Sequence, residues 1–283
     1  MKAYISEFIG TFVLVLFGCG SMIAANFLVG AMGFMLPLGI TTLISAVAFG
    51  VTMAMLYGIF EKVSGCHLNP AVSFAVLLDG GFDKISRFVG YLVAQFLGAA
   101  AAIGGIWLMT GQTSTLGQTG YEALSPLYLG MGPVIAVEFV ISFIFVLAFL
   151  NAKDSAKTTA GRGAFIGAAL TAVYIFGIPF NGGGANPARS FAPAIYALGD
   201  AIKQSPIFIV IPLIAAAVAA VVYKSVIKNE PLRKSEEERK KAKAEKRAKK
   251  EADKKIKEEM KGKKAGTLGE FGNNANGTEQ VEK

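Results

Sequence analysis

Two stretches of the chain decide its fold: His67-Leu68-Asn69-Pro70-Ala71-Val72-Ser73-Phe74 and Ala185-Asn186-Pro187-Ala188-Arg189-Ser190-Phe191-Ala192. Both carry the word Asn-Pro-Ala. Proline at the first turn of a helix sacrifices no hydrogen bond and asparagine is a good N-cap, so each word reads as a helix start. The apolar runs that follow, 68–78 and 185–198, are too short to cross a bilayer; runs of about 10 to 14 residues suit re-entrant helices. A single Asn-Pro is merely a cap. Two, each opening a half-length apolar run, point to a paired function.

Around these two stretches, apolar runs of about 20 residues, the length a bilayer core of about 30 Å requires, fall near 4–28, 36–59, 86–109, 132–150, 162–180 and 205–227. Phe8 to Val29 and Pro206 to Val222 contain no charged residue at all. The first run continues past Gly20 without a clean cleavage site and reads as an uncleaved span rather than a signal peptide. The halves repeat beyond the short word: Ser6-Glu7-Phe8-Ile9-Gly10-Thr11 resembles Val137-Glu138-Phe139-Val140-Ile141-Ser142. Three spans per half is an odd number, so the second copy enters the membrane from the opposite face. The expectation is an all-α membrane protein of six transmembrane helices plus two re-entrant half-helices in an inverted repeat, with its functional site near the midplane. Lys and Arg cluster at Lys62, at 84–87 and at 153–162, whereas Thr110 to Met131 has none, which predicts a multi-pass protein of the cell membrane with both termini cytoplasmic.

Half-helices entering from opposite faces meet at their N-termini, where bare backbone N–H groups and two positive dipole ends repel cations. Asn69 and Asn186 can each offer an amide donor to a passing oxygen, and Pro70 and Pro187 can lock the two starts together. Arg189 lies inside the apolar layer, where a charge is costly and marks a water-filled cavity by default. Glu7 and Glu138, at equivalent places in the repeats, suit acceptors for the irregular backbone ahead of each half-helix. A proton relay is the sharper alternative for this pair.

The chain of 283 residues is 53% hydrophobic yet carries a net charge of +8, and the charge gathers after about residue 227. This divides it into a channel domain over 1–227, a charged cytoplasmic tail over 228–264 and a disordered C-terminus over 265–283. The mixed charges of the tail suit a solvated helix, and their positive excess suits anionic lipid; a simple solubilising tail fits equally. Cys19 and Cys66 cannot build a disulfide framework. No nucleophile, metal cluster or phosphate loop suggests an enzyme, and nothing calls for a cofactor. A secondary transporter and a non-conducting scaffold are the rival readings.

The chain resembles the major intrinsic proteins, the aquaporins and aquaglyceroporins, over roughly residues 3–227. The resemblance rests on Ser64-Gly65-Cys66-His67-Leu68-Asn69-Pro70-Ala71-Val72, Ala94-Gln95-Phe96-Leu97-Gly98-Ala99 and Asn186-Pro187-Ala188-Arg189-Ser190-Phe191. It implies a homotetramer with one pore per subunit, lined at its centre by Asn69, Pro70, Ala71, Asn186, Pro187 and Ala188. It also implies a constriction of four residues, which falls on Phe49, Gly183, Arg189 and, in the fifth span, Tyr174 or its neighbour Val173. Strict water channels usually carry a histidine in that span, but the only histidine here is His67, which with Gln95 suits loop support. Glycerol facilitators usually carry an aromatic where Gly183 stands and an Asp where Ser190 stands. The implied permeants are water and small neutral solutes, glycerol among them.

Overall fold

The computed structural model describes residues 1–31, 38–113, 116–228, 244–245 and 251, the side chains of 28–31 and 38 excepted. The chain divides into two units, Met1–Lys228 and Asn229–Lys283. The helical tail expected over 228–264 and the disordered end expected over 265–283 lie almost wholly outside the described residues.

Every regular element described in the first unit is helical: α1 (Lys2–Ala31), α2 (Leu38–Ser64), α3 (Pro70–Leu78), α4 (Ile85–Thr110), α5 (Met131–Ser155), α6 (Thr159–Asn181), α7 (Pro187–Ala197), α8 (Gly199–Gln204) and α9 (Ile207–Val222). A π-helical turn, Tyr223–Ile227, follows α9. Six helices are long and apolar enough to cross a membrane among the described residues, with α8, α9 and the π turn together forming the last. Their outer faces carry large exposed apolar side chains, such as Leu43, Val47, Val51 and Met55 on α2. A belt of this kind is untenable in water and natural against lipid.

The packing is the same when the halves are exchanged. Helix α1 packs on α2 and α4 as α5 packs on α6 and α9, and α3 packs on α9 as α7 packs on α4. The halves join where α2 crosses α6, through glycines. A Cβ added at Gly50 would lie 2.5 Å from the Gly167 carbonyl, and one added at Gly167 would lie 2.4 Å from the Gly50 carbonyl. Bare backbones approaching this closely are how helices associate in lipid, where no hydrophobic drive separates helix from solvent.

Two differences from the sequence reading have physical causes. Helix α2 runs to Ser64, beyond the apolar run ending at 59, because Glu61 is paired with Arg162 of α6 at 2.6 Å and its charge is thereby accommodated. The final span begins with the separate short helix α8, which the apolar pattern of 205–227 leaves out because its Asp200 and Lys203, paired at 3.1 Å, interrupt the apolar run.

Candidate functional site: the meeting of two helix tips

Helices α3 and α7 begin as their sequences dictate. Pro70 and Pro187 occupy the first turn, and Asn69 and Asn186 are the caps. Asn69 Oδ1 accepts from Ala71 N at 2.8 Å; Asn186 Oδ1 accepts from Ala188 N at 3.1 Å and Arg189 N at 3.3 Å. The amide ends then cross over. Asn69 Nδ2 donates to the Ala185 carbonyl and Asn186 Nδ2 to the Leu68 carbonyl, both at 2.8 Å. Each helix start is therefore stitched to the residue that precedes the other, and the two tips are held face to face.

Leu68 and Ala185, the residues that accept these bonds, sit in the left-handed region with φ of +52° and +57°. A residue with a Cβ pays about 1–2 kcal/mol for this conformation, so something must hold it. On each side a fully buried carboxylate does. Glu7 Oε2 accepts from Leu68 N at 2.7 Å, and Glu138 Oε1 accepts from Ala185 N at 2.7 Å. Glu7 also accepts from Ser64 Oγ, His67 N and Gln95 Nε2, and Glu138 from Asn181 Nδ2. At Gly184 an added Cβ would lie 2.1 Å from Glu138 Oε2, so the carboxylate rests directly on bare backbone.

His67 lies in the first of these loops, buried among the rings of Phe82, Tyr91 and Phe149, with Nδ1 3.1 Å from Ser73 Oγ. Burial, with Lys153 and Arg87 adding to it, pushes its pKa down to about 3, so the ring is neutral. Gln95 donates to Ser73 Oγ as well as to Glu7. Cys66, in the same loop, is buried in the core.

A second cluster gathers near the start of α7. The rings of Phe49 and Tyr174 meet edge to face at 4.6 Å, and the Arg189 guanidinium carbon lies 5.5 Å from the centre of the Phe49 ring. Tyr174 Oη donates to the Gly184 carbonyl at 3.0 Å. Val173 is also buried. Arg189 is fully buried, donating from Nη1 to the Gly117 carbonyl at 2.8 Å and from Nη2 to the Gly182 carbonyl at 3.0 Å and to Met22 Sδ at 3.4 Å. Its Nε has no partner among the described residues. Gly183 adjoins this cluster with φ +75°, and an added Cβ would lie 2.7 Å from Ile178 Cγ1. Backbone conformation as well as space thus calls for glycine at 183.

The sequence reading missed several partners. Gly117, Gly182 and Met22 hold Arg189, and Ser64 and Asn181 satisfy the two glutamates. Gly117 belongs to a loop whose sequence carries no signal of its path. Asn181, just ahead of three glycines in a helix that ends there, carried a weak one.

Six apolar helices around two short helices that meet tip to tip, with buried donors at the junction, define a polytopic membrane protein with the architecture of a channel. The family model for the major intrinsic proteins matches residues 1–223. A glycerol uptake facilitator protein-like 6 of Lactiplantibacillus plantarum is 35% identical over 225 residues, covering 78% of this chain and 95% of its own. Aquaporin Z of Bradyrhizobium diazoefficiens is 33% identical over 234 residues, covering 79% and 92%. The lens fiber major intrinsic protein of Gallus gallus is 37% identical over 224 residues, covering 78% and 80%. Among solved structures, the aquaglyceroporin from Plasmodium falciparum shares the fold with a TM-score of 0.66 at 22% identity, over 80% of this chain and 96% of that one. The chain belongs to the major intrinsic protein family.

Proposed function

We propose that the chain is a passive channel for water and small uncharged solutes such as glycerol, and that it excludes ions and protons. The observation that carries this reading is the reciprocal pair of amide bonds between the tips of α3 and α7. One proton of each Asn Nδ2 goes to the opposite carbonyl, and the second is available to a passing oxygen. An oxygen held by both amides points its own hydrogens away along the pore. No continuous proton wire then runs through the centre, and the paired positive helix ends repel cations.

Arg189 adds a second barrier. Its fixed charge repels cations, while its buried Nε is a donor for a permeant oxygen. Opposite it, Phe49 and Tyr174 offer an apolar corner against which the carbon atoms of a polyol can slide, and Gly183 leaves the ring without a fourth side chain. A relative named for glycerol uptake and one named aquaporin are about equally similar to this chain, in keeping with both permeants. On this reading Glu7, Glu138, His67 and Gln95 support the loops, residues 1–227 form the channel domain and the channel is a homotetramer. Both termini are cytoplasmic, and the basic tail lies against anionic lipid.

The test is stopped-flow light scattering on vesicles containing the purified protein. Water permeability is expected well above that of empty vesicles, without saturation or dependence on an ion gradient, and glycerol is expected to follow. Phe49→Ala should raise glycerol permeability relative to water. Protein-containing vesicles no more permeable than empty ones defeat the reading.

A further inference from the structure

The guanidinium of Arg189 is held unevenly. Two of its contacts are carbonyls at ordinary distance, and the third is the thioether of Met22, a weak acceptor. Met22 lies on α1 one turn beyond Cys19. An added Cβ on Gly117 would be 3.3 Å from Cys19 Sγ and 3.5 Å from Met22 Sδ, so both sulfurs flank one point beside the Arg189 anchor. They differ in access. Cys19 is fully buried, whereas Met22 is only partly so and lines a cavity of about 430 Å³ with Asn26, Gln118, Ser125 and Tyr128. Tyr128 is 77% exposed, so this cavity opens to solvent. A small oxidant arriving at that mouth therefore reaches Met22 before it reaches the buried thiol.

We propose that Met22 is an oxidation site that throttles the pore. The reactant is a hydroperoxide. Its O–O bond breaks, one oxygen forms a new bond to Sδ, the sulfur loses two electrons, and the peroxide leaves as water or alcohol. The weak thioether acceptor becomes a polar sulfoxide whose oxygen accepts strongly from the guanidinium. The added oxygen also takes up space in the mouth. Arg189 is then pinned by three oxygen acceptors instead of two, so its guanidinium is less free to turn toward a permeant. Methionine sulfoxide reductases reverse the change. The proposal rests on the reading of Arg189 as a permeation residue.

The test uses vesicles reconstituted with the full chain, treated with hydrogen peroxide. Sulfoxide at Met22 is measured by peptide mass spectrometry and water permeability by stopped flow, each vesicle sample being compared with itself before treatment. Oxidation of Met22 is expected to lower permeability about fivefold, the effect on the barrier of turning a weak contact into one ordinary hydrogen bond. Reductase treatment is expected to restore it, and the treated-to-untreated ratio of Met22→Leu to stay near one. If that variant does not reconstitute, the wild-type titration stands alone, with permeability required to fall in step with Met22 sulfoxide. Met22 staying reduced while exposed Met109 oxidises, full sulfoxide without loss of flux, or an equal loss in Met22→Leu overturns the proposal. Untreated vesicles without excess permeability defeat the channel reading itself, and this proposal with it.

Discussion

Leu68 and Ala185 each hold a left-handed backbone, donate to a glutamate of their own half and accept from the asparagine of the other. Two acids in a bilayer invite a proton relay, but Glu7 is occupied by four donors fixed in place. Replacing it leaves buried donors without an acceptor, at about 1–3 kcal/mol for each. Glu7→Leu is therefore expected to lower the thermal unfolding midpoint in detergent sharply, and Glu7→Gln to do so less; an unchanged midpoint in Glu7→Leu would refute the anchoring role. His67 gives a second expectation. Its folded pKa of about 3 lies below its ordinary 6.5, so between those values the unfolded chain binds more protons. The contribution is complete above pH 6.5 and is lost as pH falls toward 3. Between pH 7 and 4 the unfolding midpoint of the wild type should fall more steeply than that of His67→Gln. The asparagines, glutamates and Arg189 were all legible as residues in the sequence. The reciprocal bonds were not, because the carbonyls that accept them belong to residues of no distinctive type.

Among the elements, the crossing of α2 and α6 matters most to the site, since Phe49 neighbours Gly50 on one helix and Tyr174 lies two turns beyond Gly167 on the other. Gly167 has the Gly50 carbonyl and Ala54 Cβ where its own Cβ would be. Gly167→Leu must push the helices apart, and overpacking of this kind costs about 1–3 kcal/mol. The variant is expected to lose thermal stability and, where it still folds, to separate the rings of Phe49 and Tyr174. Its ratio of glycerol to water permeability should then rise; a stable variant with an unaltered ratio would break this link. The spans were legible because bilayer thickness fixes their length. Their ends were less so: hydropathy cannot report that a charge such as Glu61 has a partner on a helix about a hundred residues away.

Across the whole molecule, the exchange symmetry of the packing carries each half-helix against helices of both halves, so neither half can form the junction alone. The π turn and the residue after it close the arrangement at the far end of α3. Lys224 Nζ donates to the Leu78 carbonyl at 2.6 Å, and Lys228 pairs with Asp79 at 2.7 Å, both at the negative end of that half-helix. Lys224→Met is expected to cost about 0.5–1 kcal/mol, and Lys224→Arg to restore most of it, as read by thermal unfolding. A loss equal in both variants would mean that packing, and not charge, is what the lysine supplies. By itself the sequence determined that this chain crosses the membrane six times, dips into it twice and turns its second half over, because apolar length, helix-start chemistry and an odd number of spans are local quantities that add along the chain. Which carbonyls the asparagines reach, how Arg189 is held and why the backbone at residue 183 favours glycine follow only from the three-dimensional arrangement. Those facts depend on distances between backbone groups far apart in the chain, and a carbonyl has the same identity in every residue.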